Sequence, residues 1–305
     1  MIRNIINKLF ISIASLLPIS FIRLIAGKYV AGENYIEAID TIKQLNKDGY
    51  SVTIDILGEH STSIKEAGKI TIEYNNLYKE INKQQLDCNI SVKPTHLGLD
   101  LGFDIAKNNF TSITKSAKKY NNFLRIDMES STITDKTIDI YNICKSNYKN
   151  VGMVLQAYLH RSYDDLKYLS SDKSFNFRLC KGIYNESKYI AFKQNNEIND
   201  NFIKLLKYAF KNNIYVGIAT HDSKLIDKIY NLIKKYKVSR NRFEFQVLYG
   251  VPVSNYLKKH ILNGYKVRVY VPFGPDWYDY SIRRLKENPN IAKYVAKSIF
   301  SKRDY

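Results

Sequence analysis

The sequence predicts a single (β/α)8 barrel, and three observations lead to that fold class. Short apolar or β-branched runs of strand length occur eight times after residue 50, and helical stretches lie between them. Eight parallel strands are the number that closes into this barrel, and 305 residues are enough for one such domain. An open doubly wound sheet is the alternative. It usually carries a GxGxxG turn after its first strand, and Leu57–His60 does not have that pattern.

The first 48 residues are predicted to form an N-terminal helical segment, and residues 49–305 the barrel with its terminal helices. An apolar run at Leu9–Ile22 is interrupted by serines and Pro18, is short for a transmembrane span, and is followed by no Ala-x-Ala cleavage site. Two interpretations stay open: amphipathic helices packed on the domain, or a surface-seeking helix that touches a membrane. Asn34–Asp48 is predicted to be a helix closed by Gly49.

The barrel itself is predicted from strands and helices that alternate along the chain. The strand-like runs are Ser51–Leu57, Asn89–Lys93, Phe123–Met128, Val151–Tyr158, Asn176–Lys181, Ile214–Thr220, Phe243–Tyr249 and Lys266–Pro272. The helical stretches include Ile64–Lys83, Lys107–Lys119, Asp135–Lys145, Asn201–Phe210, Asp222–Lys237 and Val253–Leu262.

Polar side chains accumulate at the carboxyl ends of these strand-like runs, which is where a barrel builds its active site. Each residue alone could be a loop residue or a satisfied polar group in the core. Together they predict a ring around one mouth of the barrel: Lys93, Asp127, Gln156, Arg178, Lys181, His221 and Tyr270. Because such groups are costly to desolvate, their convergence predicts a ligand.

A short helix is predicted after the eighth run and ends before Pro289. Tyr280 and Arg284 lie four residues apart. Arg283 and Glu287 have the same spacing, so the four polar groups share one broad face. The two guanidiniums suit a ligand carboxylate, and the glutamate could hold one of them in place. Alone, this pattern is more typical of a solvated helix face. Over a mouth lined by cations, it predicts a substrate site that the helix covers.

Charge and cysteine usage exclude several classes of protein. The net charge of +18 comes from lysines spread along the whole chain, without a compact basic block, so a compositional bias explains it better than a nucleic-acid site. The charge still favours an anionic membrane surface or anionic ligands. Three separated cysteines indicate a reducing compartment, and neither they nor the five histidines have metal-ligand spacing.

Two motifs resemble those of the proline dehydrogenase family. Arg178–Tyr184 reads Arg-Leu-Cys-Lys-Gly-Ile-Tyr and resembles the family's Arg-Leu-Val-Lys-Gly-Ala-Tyr, and Tyr280–Asn288 resembles its substrate-binding helix. Five further segments follow the family's order and comparable spacing: Ser91–Lys93, Ile126–Glu129, Leu155–Tyr158, Ala219–Asp222 and Glu244–Gln246. The resemblance extends from about residue 30 to residue 289, and the length is similar to that of the monofunctional bacterial form.

This resemblance implies an FAD-dependent barrel that oxidises L-proline to Δ1-pyrroline-5-carboxylate, the first step of proline catabolism to glutamate. The hydride would pass from C5 to flavin N5, and the electrons to a membrane quinone. The implied partners are L-proline, the quinone and, by peripheral contact, a membrane, with no nucleic acid. The implied location is the cytoplasm, at the inner face of the cytoplasmic membrane.

The resemblance also implies roles for individual residues. The substrate carboxylate would be bound by cations, and the pyrrolidine ring would lie among apolar and aromatic walls. The implied cations are Lys93, Arg283 and Arg284, and the implied walls are Tyr184, Leu248, Tyr270 and Tyr280. Asp127 would orient Lys93 or Arg284, and Glu287 would orient the arginines. The implied flavin contacts are Gln156, Arg178, Lys181, Gly182, Thr220 and His221.

Two positions depart from the family's motif. Cys180 replaces valine, a mild change because a buried thiol behaves as a small hydrophobe. Ile183 replaces alanine and adds bulk beside Tyr184, so we expect a tighter pocket or a higher Michaelis constant. Two alternative functions stay open: a flavin-dependent dehydrogenase of another cyclic amino acid such as hydroxyproline, and a non-catalytic basic barrel that binds a membrane or nucleic acid.

Overall fold

A computed structural model describes residue 23 and residues 26–251, 254–278 and 280–282 of the chain. Eight parallel strands close into one barrel in sequence order, with the last strand hydrogen-bonded to the first. The strands are β1 (Ser51–Ile56), β2 (Cys88–Val92), β3 (Leu124–Ile126), β4 (Val151–Gln156), β5 (Asn176–Cys180), β6 (Tyr215–Ala219), β7 (Phe243–Leu248) and β8 (Val267–Phe273). The prediction of a (β/α)8 barrel is confirmed.

Among the described residues, helix α1 lies directly before the barrel, residues 26–29 are also helical, and one helix follows each of the first seven strands. In chain order they are α1 (Tyr35–Lys47), α2 (Ile64–Lys83), α3 (Phe103–Lys119), α4 (Thr134–Asn147), α5 (Ser162–Leu169), α6 (Asn195–Lys211), α7 (Ser223–Tyr236) and α8 (Ser254–Leu262). Short 3-10 turns lie at Thr95–Leu97, Ser131–Ile133 and Arg240–Arg242. The sequence had not singled out α5, whose eight residues are shorter than the window over which helical periodicity is resolved.

Helix α7 shows how the sequence sets these boundaries. The side chain of Asp222 accepts a hydrogen bond from the Leu225 N–H and so caps the first turn. The helix ends at Lys237, which adopts a left-handed conformation with φ +47°. Its buried side chains follow the helical spacing and face the barrel: Leu225, Ile226, Ile229, Leu232 and Ile233.

Helix α1 packs against β1 and β8 and buries Ala38, Ile42 and Leu45. The chain before it joins the last strand, since the Ala31 N–H donates to the carbonyl of Pro272 at 2.9 Å. The boundary proposed at residue 48 stays a prediction. The apolar run at Leu9–Ile22 lies outside the described residues. Among the helices that the structure describes, none is long and apolar enough to cross a bilayer.

The barrel interior contains a group of buried charges, here called the inner cluster: Arg125, Glu244 and Arg268. Arg268 Nε donates to Glu244 Oε1 at 2.8 Å, and Arg268 Nη1 donates to the carbonyl of Val52 at 2.7 Å. Arg125 donates to the carbonyl of Asn176 at 3.0 Å and to its side-chain oxygen at 2.6 Å. Burial would raise the pKa of Glu244, but the charge and hydrogen bond of Arg268, together with Lys266 and Gln246, lower it. The side chains of Arg125 and Arg268 thus connect residues of five strands: β1, β3, β5, β7 and β8.

Candidate active site

A cavity of about 700 Å³ opens at the carboxyl ends of the strands. Every predicted site residue that the structure describes lines it: Lys93, Asp127, Gln156, Arg178, Lys181, Gly182, Tyr184, Thr220, His221, Leu248, Tyr270 and Tyr280. The predicted residues Arg283, Arg284 and Glu287 lie outside the described part of the chain. The start of their helix is described, and Tyr280 on it faces the cavity.

The ammonium group of Lys93 is held at the end of β2 by Asp55, which lies on β1. Burial alone would lower the pKa of Lys93. The carboxylates of Asp55 and Asp127 outweigh burial and raise that pKa above its ordinary value. The cavity therefore has a cation that stays charged although its side chain is only 16% exposed.

Asp127 follows β3 and is surrounded by hydrogen-bond donors. Arg178 Nη2 lies 2.5 Å from its Oδ1, to which the hydroxyl of Ser91 also donates, and the hydroxyl of Tyr270 donates to its Oδ2 at 3.2 Å. Burial would raise the pKa of Asp127, but the charges of Arg178 and Lys93 lower it. The orienting role expected for Asp127, with Lys93 or Arg284, stays a prediction: among the described residues its ion-pair partner is Arg178, Asp55 holds the lysine, and Arg284 lies outside the described residues.

Asp55, Lys93, Asp127 and Arg178 together are here called the cavity cluster. The four side chains come from β1, from the ends of β2 and β3, and from β5, and all four line the cavity. The Arg178 guanidinium also lies 5.0 Å from the ring centroid of Tyr270, a cation–π contact. Two ion pairs, Lys93 with Asp55 and Arg178 with Asp127, thus lie at the same end of the barrel.

Lys181, which also lines the cavity, is held by Asp222 at 2.6 Å. The same carboxylate caps α7 through Leu225 and accepts a hydrogen bond from Asn199 at 3.3 Å. Burial would raise the pKa of Asp222, but these donors, Lys181 first, lower it. Gly182 follows with φ +103°, where a Cβ atom would come within 2.4 Å of the Tyr158 ring. Asp222 thus fixes Lys181. The turn that follows the lysine requires glycine at position 182.

His221 and Gln156 supply hydrogen-bonding groups to the cavity wall. Burial lowers the pKa of His221 to about 4, and the Leu248 N–H donates to its Nε2 at 3.1 Å. The imidazole is therefore neutral, with its remaining proton assigned to Nδ1, and adds a donor rather than a cation. Gln156 Nε2 donates to the carbonyl of Met128 at 3.2 Å, whereas its Oε1 is buried without a partner among the described residues. An unsatisfied buried acceptor is costly, so this oxygen suits a ligand N–H.

The structure adds acidic residues to which the sequence analysis gave no role. Asp55, Glu59 and Glu129 all line the cavity. Glu129 accepts hydrogen bonds from the N–H and the hydroxyl of Thr95, at 2.9 and 2.6 Å. Burial raises its pKa to about 7, against the lowering effect of those donors. The sequence did offer a sign that Asp55 has a role. It lies within a buried strand, where a carboxylate needs a partner.

Ile183, the departure from the family's motif, lies at the cavity rim with 63% of its surface exposed. The neighbouring Tyr184 is less exposed and also lines the cavity. Most of the added bulk therefore lies on the solvent side of the rim rather than in the buried part of the cavity. Within the described ranges, no group of three His, Cys, Asp or Glu side chains could hold a metal ion.

A barrel whose strand ends place paired buried charges around an open cavity is the architecture of a (β/α)8 barrel enzyme. The sequence profile of a family described as "Proline dehydrogenase" matches residues 38–297 of the chain. The chain therefore belongs to the proline dehydrogenase family, a family of oxidoreductases.

Named relatives support the same family. The chain is 39% identical over 280 residues to "Proline dehydrogenase 2" of Bacillus subtilis, covering 92% of each chain. It is 31% identical to "Proline dehydrogenase" of Deinococcus radiodurans, covering 90% of each. These full-length matches confirm the resemblance to the monofunctional bacterial form.

Solved structures agree with the fold. A crystal structure of proline utilization A from Bdellovibrio bacteriovorus, inactivated by N-propargylglycine, matches with a TM-score of 0.79 and 26% identity. The match covers 91% of this chain and 34% of the other, so the chain spans about a third of that longer protein.

Proposed function

We propose that the protein oxidises L-proline to Δ1-pyrroline-5-carboxylate with FAD as cofactor. The observation that carries this proposal is the charged Lys93 at the cavity wall, in a member of the proline dehydrogenase family. A buried cation that keeps its charge is a binding partner for a substrate carboxylate. Arg283 and Arg284 are the further cations that we propose for the same carboxylate, with Glu287 orienting them.

The residues on the other cavity walls fit a flavin. Gln156 Oε1, which has no partner among the residues that the structure describes, can accept an N–H of the ring system. Arg178 and Lys181 can balance the negative charge of a pyrophosphate or of the reduced ring. Gly182, Thr220 and the neutral His221 complete the proposed contacts. When bound, the flavin would supply the hydride acceptor, N5, for the hydrogen at proline C5.

The protein's own contribution is to position the substrate and to keep its charges balanced. Lys93 would fix the carboxylate, while Tyr184, Leu248, Tyr270 and Tyr280 would surround the ring. Cations around the substrate also lower the pKa of its ammonium group, and the oxidation requires the neutral amine. Asp127 would act indirectly, by holding Arg178 and Tyr270 in place.

The visible absorbance spectrum tests this proposal directly. The purified protein is expected to show flavin absorption, and that absorption is expected to bleach when L-proline is added without oxygen. A protein that stays colourless after incubation with FAD contradicts the proposed cofactor. A coloured protein that L-proline does not bleach contradicts the proposed substrate instead.

Ile183, which replaces the family's alanine, lies on the solvent side of the cavity rim, so L-proline is the first substrate to test. We propose hydroxyproline or another cyclic amino acid as the alternative. A substrate panel with proline, hydroxyproline and acyclic analogues separates the two, since the true substrate gives the highest kcat/KM. Membership of a family of oxidoreductases leaves the non-catalytic basic barrel without support.

For the electron acceptor we propose a membrane quinone, reached by peripheral contact at the inner face of the cytoplasmic membrane. The net charge of +18 and the apolar run Leu9–Ile22 support this proposal. Deleting the first 27 or so residues is expected to release the protein from anionic vesicles. Equal vesicle binding before and after the deletion rules out that segment as the anchor.

A further inference from the structure

Strands β1 and β2 separate before they reach the cavity. Their pairing ends at Ile54 with Ile90, whereas β1 continues to pair with β8 as far as Ile56 with Phe273. On the β2 side, the Val52 N–H donates to the carbonyl of Asp87 at 2.9 Å. Because every second N–H of a strand faces the same neighbour, the Ile56 N–H also faces β2 and lies beyond the last paired residue. The barrel therefore has a gap between two strands at the level of Asp55.

The hydroxyl of Tyr74 fills this gap. Tyr74 lies on α2, outside the barrel, and its side chain is fully buried. Its hydroxyl oxygen accepts a hydrogen bond from the Ile56 N–H at 3.3 Å. The same hydroxyl donates to Asp55 Oδ1 at 3.2 Å. Tyr74 thus replaces the missing strand partner and at the same time binds a residue of the cavity cluster.

The two oxygens of Asp55 have separate partners. Oδ1 accepts from Tyr74, and Oδ2 accepts from the Lys93 ammonium. A carboxylate held by one oxygen can present the other in a fixed direction, and a lysine side chain is flexible unless such a partner holds it. Burial and then the Asp55 charge raise the pKa of Tyr74 well above its ordinary value, so the hydroxyl keeps the proton that it donates.

We propose that Tyr74 is a positioning residue for substrate binding, acting from helix α2 through Asp55 on Lys93. The inference rests on the proposed function, in which Lys93 binds the carboxylate of L-proline. Tyr74 itself does not line the cavity, so any effect on the substrate must pass through the carboxylate that it holds.

Helix α2 offers a matched control. Tyr78 lies one turn after Tyr74 and is equally buried, but its hydroxyl donates to the carbonyl of Phe123 at 3.2 Å. Tyr74→Phe and Tyr78→Phe therefore each remove one buried tyrosine hydroxyl from the same helix. Only the first of them breaks a contact with the cavity cluster.

The test compares steady-state kinetics with L-proline for the two variants of the flavin-loaded enzyme. Tyr74→Phe is expected to raise KM roughly three- to tenfold with a much smaller change in kcat, because ground state and transition state share the carboxylate contact. Tyr78→Phe is expected to leave KM within about twofold of the wild type. The inhibition constant of cyclopentanecarboxylate, which has the carboxylate but no amine, should rise in parallel with KM for Tyr74→Phe alone.

A double-mutant cycle with Asp55→Asn identifies the route. If Tyr74 acts through Asp55, adding Tyr74→Phe to Asp55→Asn raises KM little further. If the KM increases of Tyr74→Phe and Asp55→Asn multiply in the double variant, the two residues act independently and the inference is overturned. Equal KM values for Tyr74→Phe and Tyr78→Phe also overturn it. If Tyr74→Phe gives no folded protein, Asp55→Asn carries the test, because an unchanged KM in that variant removes the link to Lys93.

Failure of the proposed function has a different signature. If Lys93→Met leaves KM unchanged, or if the wild type does not oxidise L-proline, the proposed function is wrong. If Lys93→Met raises KM while Tyr74→Phe and Tyr78→Phe behave alike, only the inference about Tyr74 is wrong.

Discussion

The barrel contains two clusters of buried charge that differ in what their cations contact. In the inner cluster, Arg268 is paired with Glu244, and both Arg125 and Arg268 also donate to main-chain carbonyls of other strands. In the cavity cluster, Lys93 and Arg178 are paired with the side-chain carboxylates of Asp55 and Asp127. Main-chain acceptors are part of the sheet and fix the inner arginines to it. The cavity cations are held by side chains, and they line an open space.

The difference shows that buried charge by itself does not identify a site. In each cluster neighbouring cations lower the pKa of one carboxylate against the effect of burial, Glu244 in the inner cluster and Asp127 in the cavity cluster, whereas burial raises the pKa of Asp55. What distinguishes the cavity cluster is that it lines a space that a ligand can enter, which is also lined by Gln156, whose Oε1 has no partner in the described part of the chain. We therefore expect the inner cluster to control stability and the cavity cluster to control binding.

The largest expected effect comes from breaking the inner cluster. Arg268→Met leaves Glu244 buried without its closest cation, and loss of one partner of a buried ion pair costs about 3–5 kcal/mol of unfolding free energy. Urea unfolding followed by circular dichroism measures this loss. The KM for L-proline of the remaining folded enzyme is expected to be unchanged. A raised KM with normal stability would reverse the roles of the two clusters.

The next effect comes from the cavity cluster. Lys93→Met is expected to lower kcat/KM for L-proline by about 100-fold, the usual effect of losing a charged hydrogen-bond partner. Most of that loss should appear as a higher KM. The control is Lys107→Met, which removes the same charge from the surface of α3, where the side chain is 44% exposed. Equal kinetics for the two variants contradict the proposed role of Lys93.

A smaller effect concerns Glu129, a cavity acid outside both clusters. Its pKa of about 7 lies above the ordinary value of 4.5, so folding favours the protonated form. That contribution is fully present below about pH 4.5 and is lost as the pH rises through 7. Between pH 5 and 7 the wild type should therefore lose about 2 kcal/mol of unfolding free energy relative to Glu129→Gln.

Urea titrations of both proteins across this pH range measure the difference. Asp104→Asn removes one negative charge from an exposed position and serves as the control. A difference between wild type and Glu129→Gln that does not change with pH shows that the carboxyl group is not held protonated by burial.

The sequence predicted the fold well because strand and helix periodicity are local properties. Strand β7 was predicted at Phe243–Tyr249 and is found at Phe243–Leu248, and α2 has the predicted bounds Ile64–Lys83. Strand β3 is shorter than its apolar run, because Asp127 and Met128 already line the cavity. Local pattern gives the position of an element, whereas its last residues depend on what the barrel end contacts.

The sequence predicted residues that prove to line one cavity, but it did not predict which of them pair with each other. Lys93 and Asp127 were recognised from strand ends and family motifs, yet the partner of the lysine, Asp55, was missed. The two paired residues are 38 positions apart, and their contact depends on the register of β1 against β2. The role of Tyr74 is still harder to predict from sequence, since a tyrosine on the buried face of an outer helix has the pattern of an ordinary core residue.

Asp222 divides one carboxylate between two structures: Oδ1 caps helix α7 and Oδ2 holds Lys181. A substitution at this position can therefore change a helix start and a cavity ion pair at once. A substitution of Asp222 by an apolar residue changes the charge at the cavity and also removes the cap of helix α7. A substitution that keeps the cap but loses the negative charge releases Lys181. Only Asp and Glu side chains carry two carboxylate oxygens, so few residue types at position 222 could make both contacts.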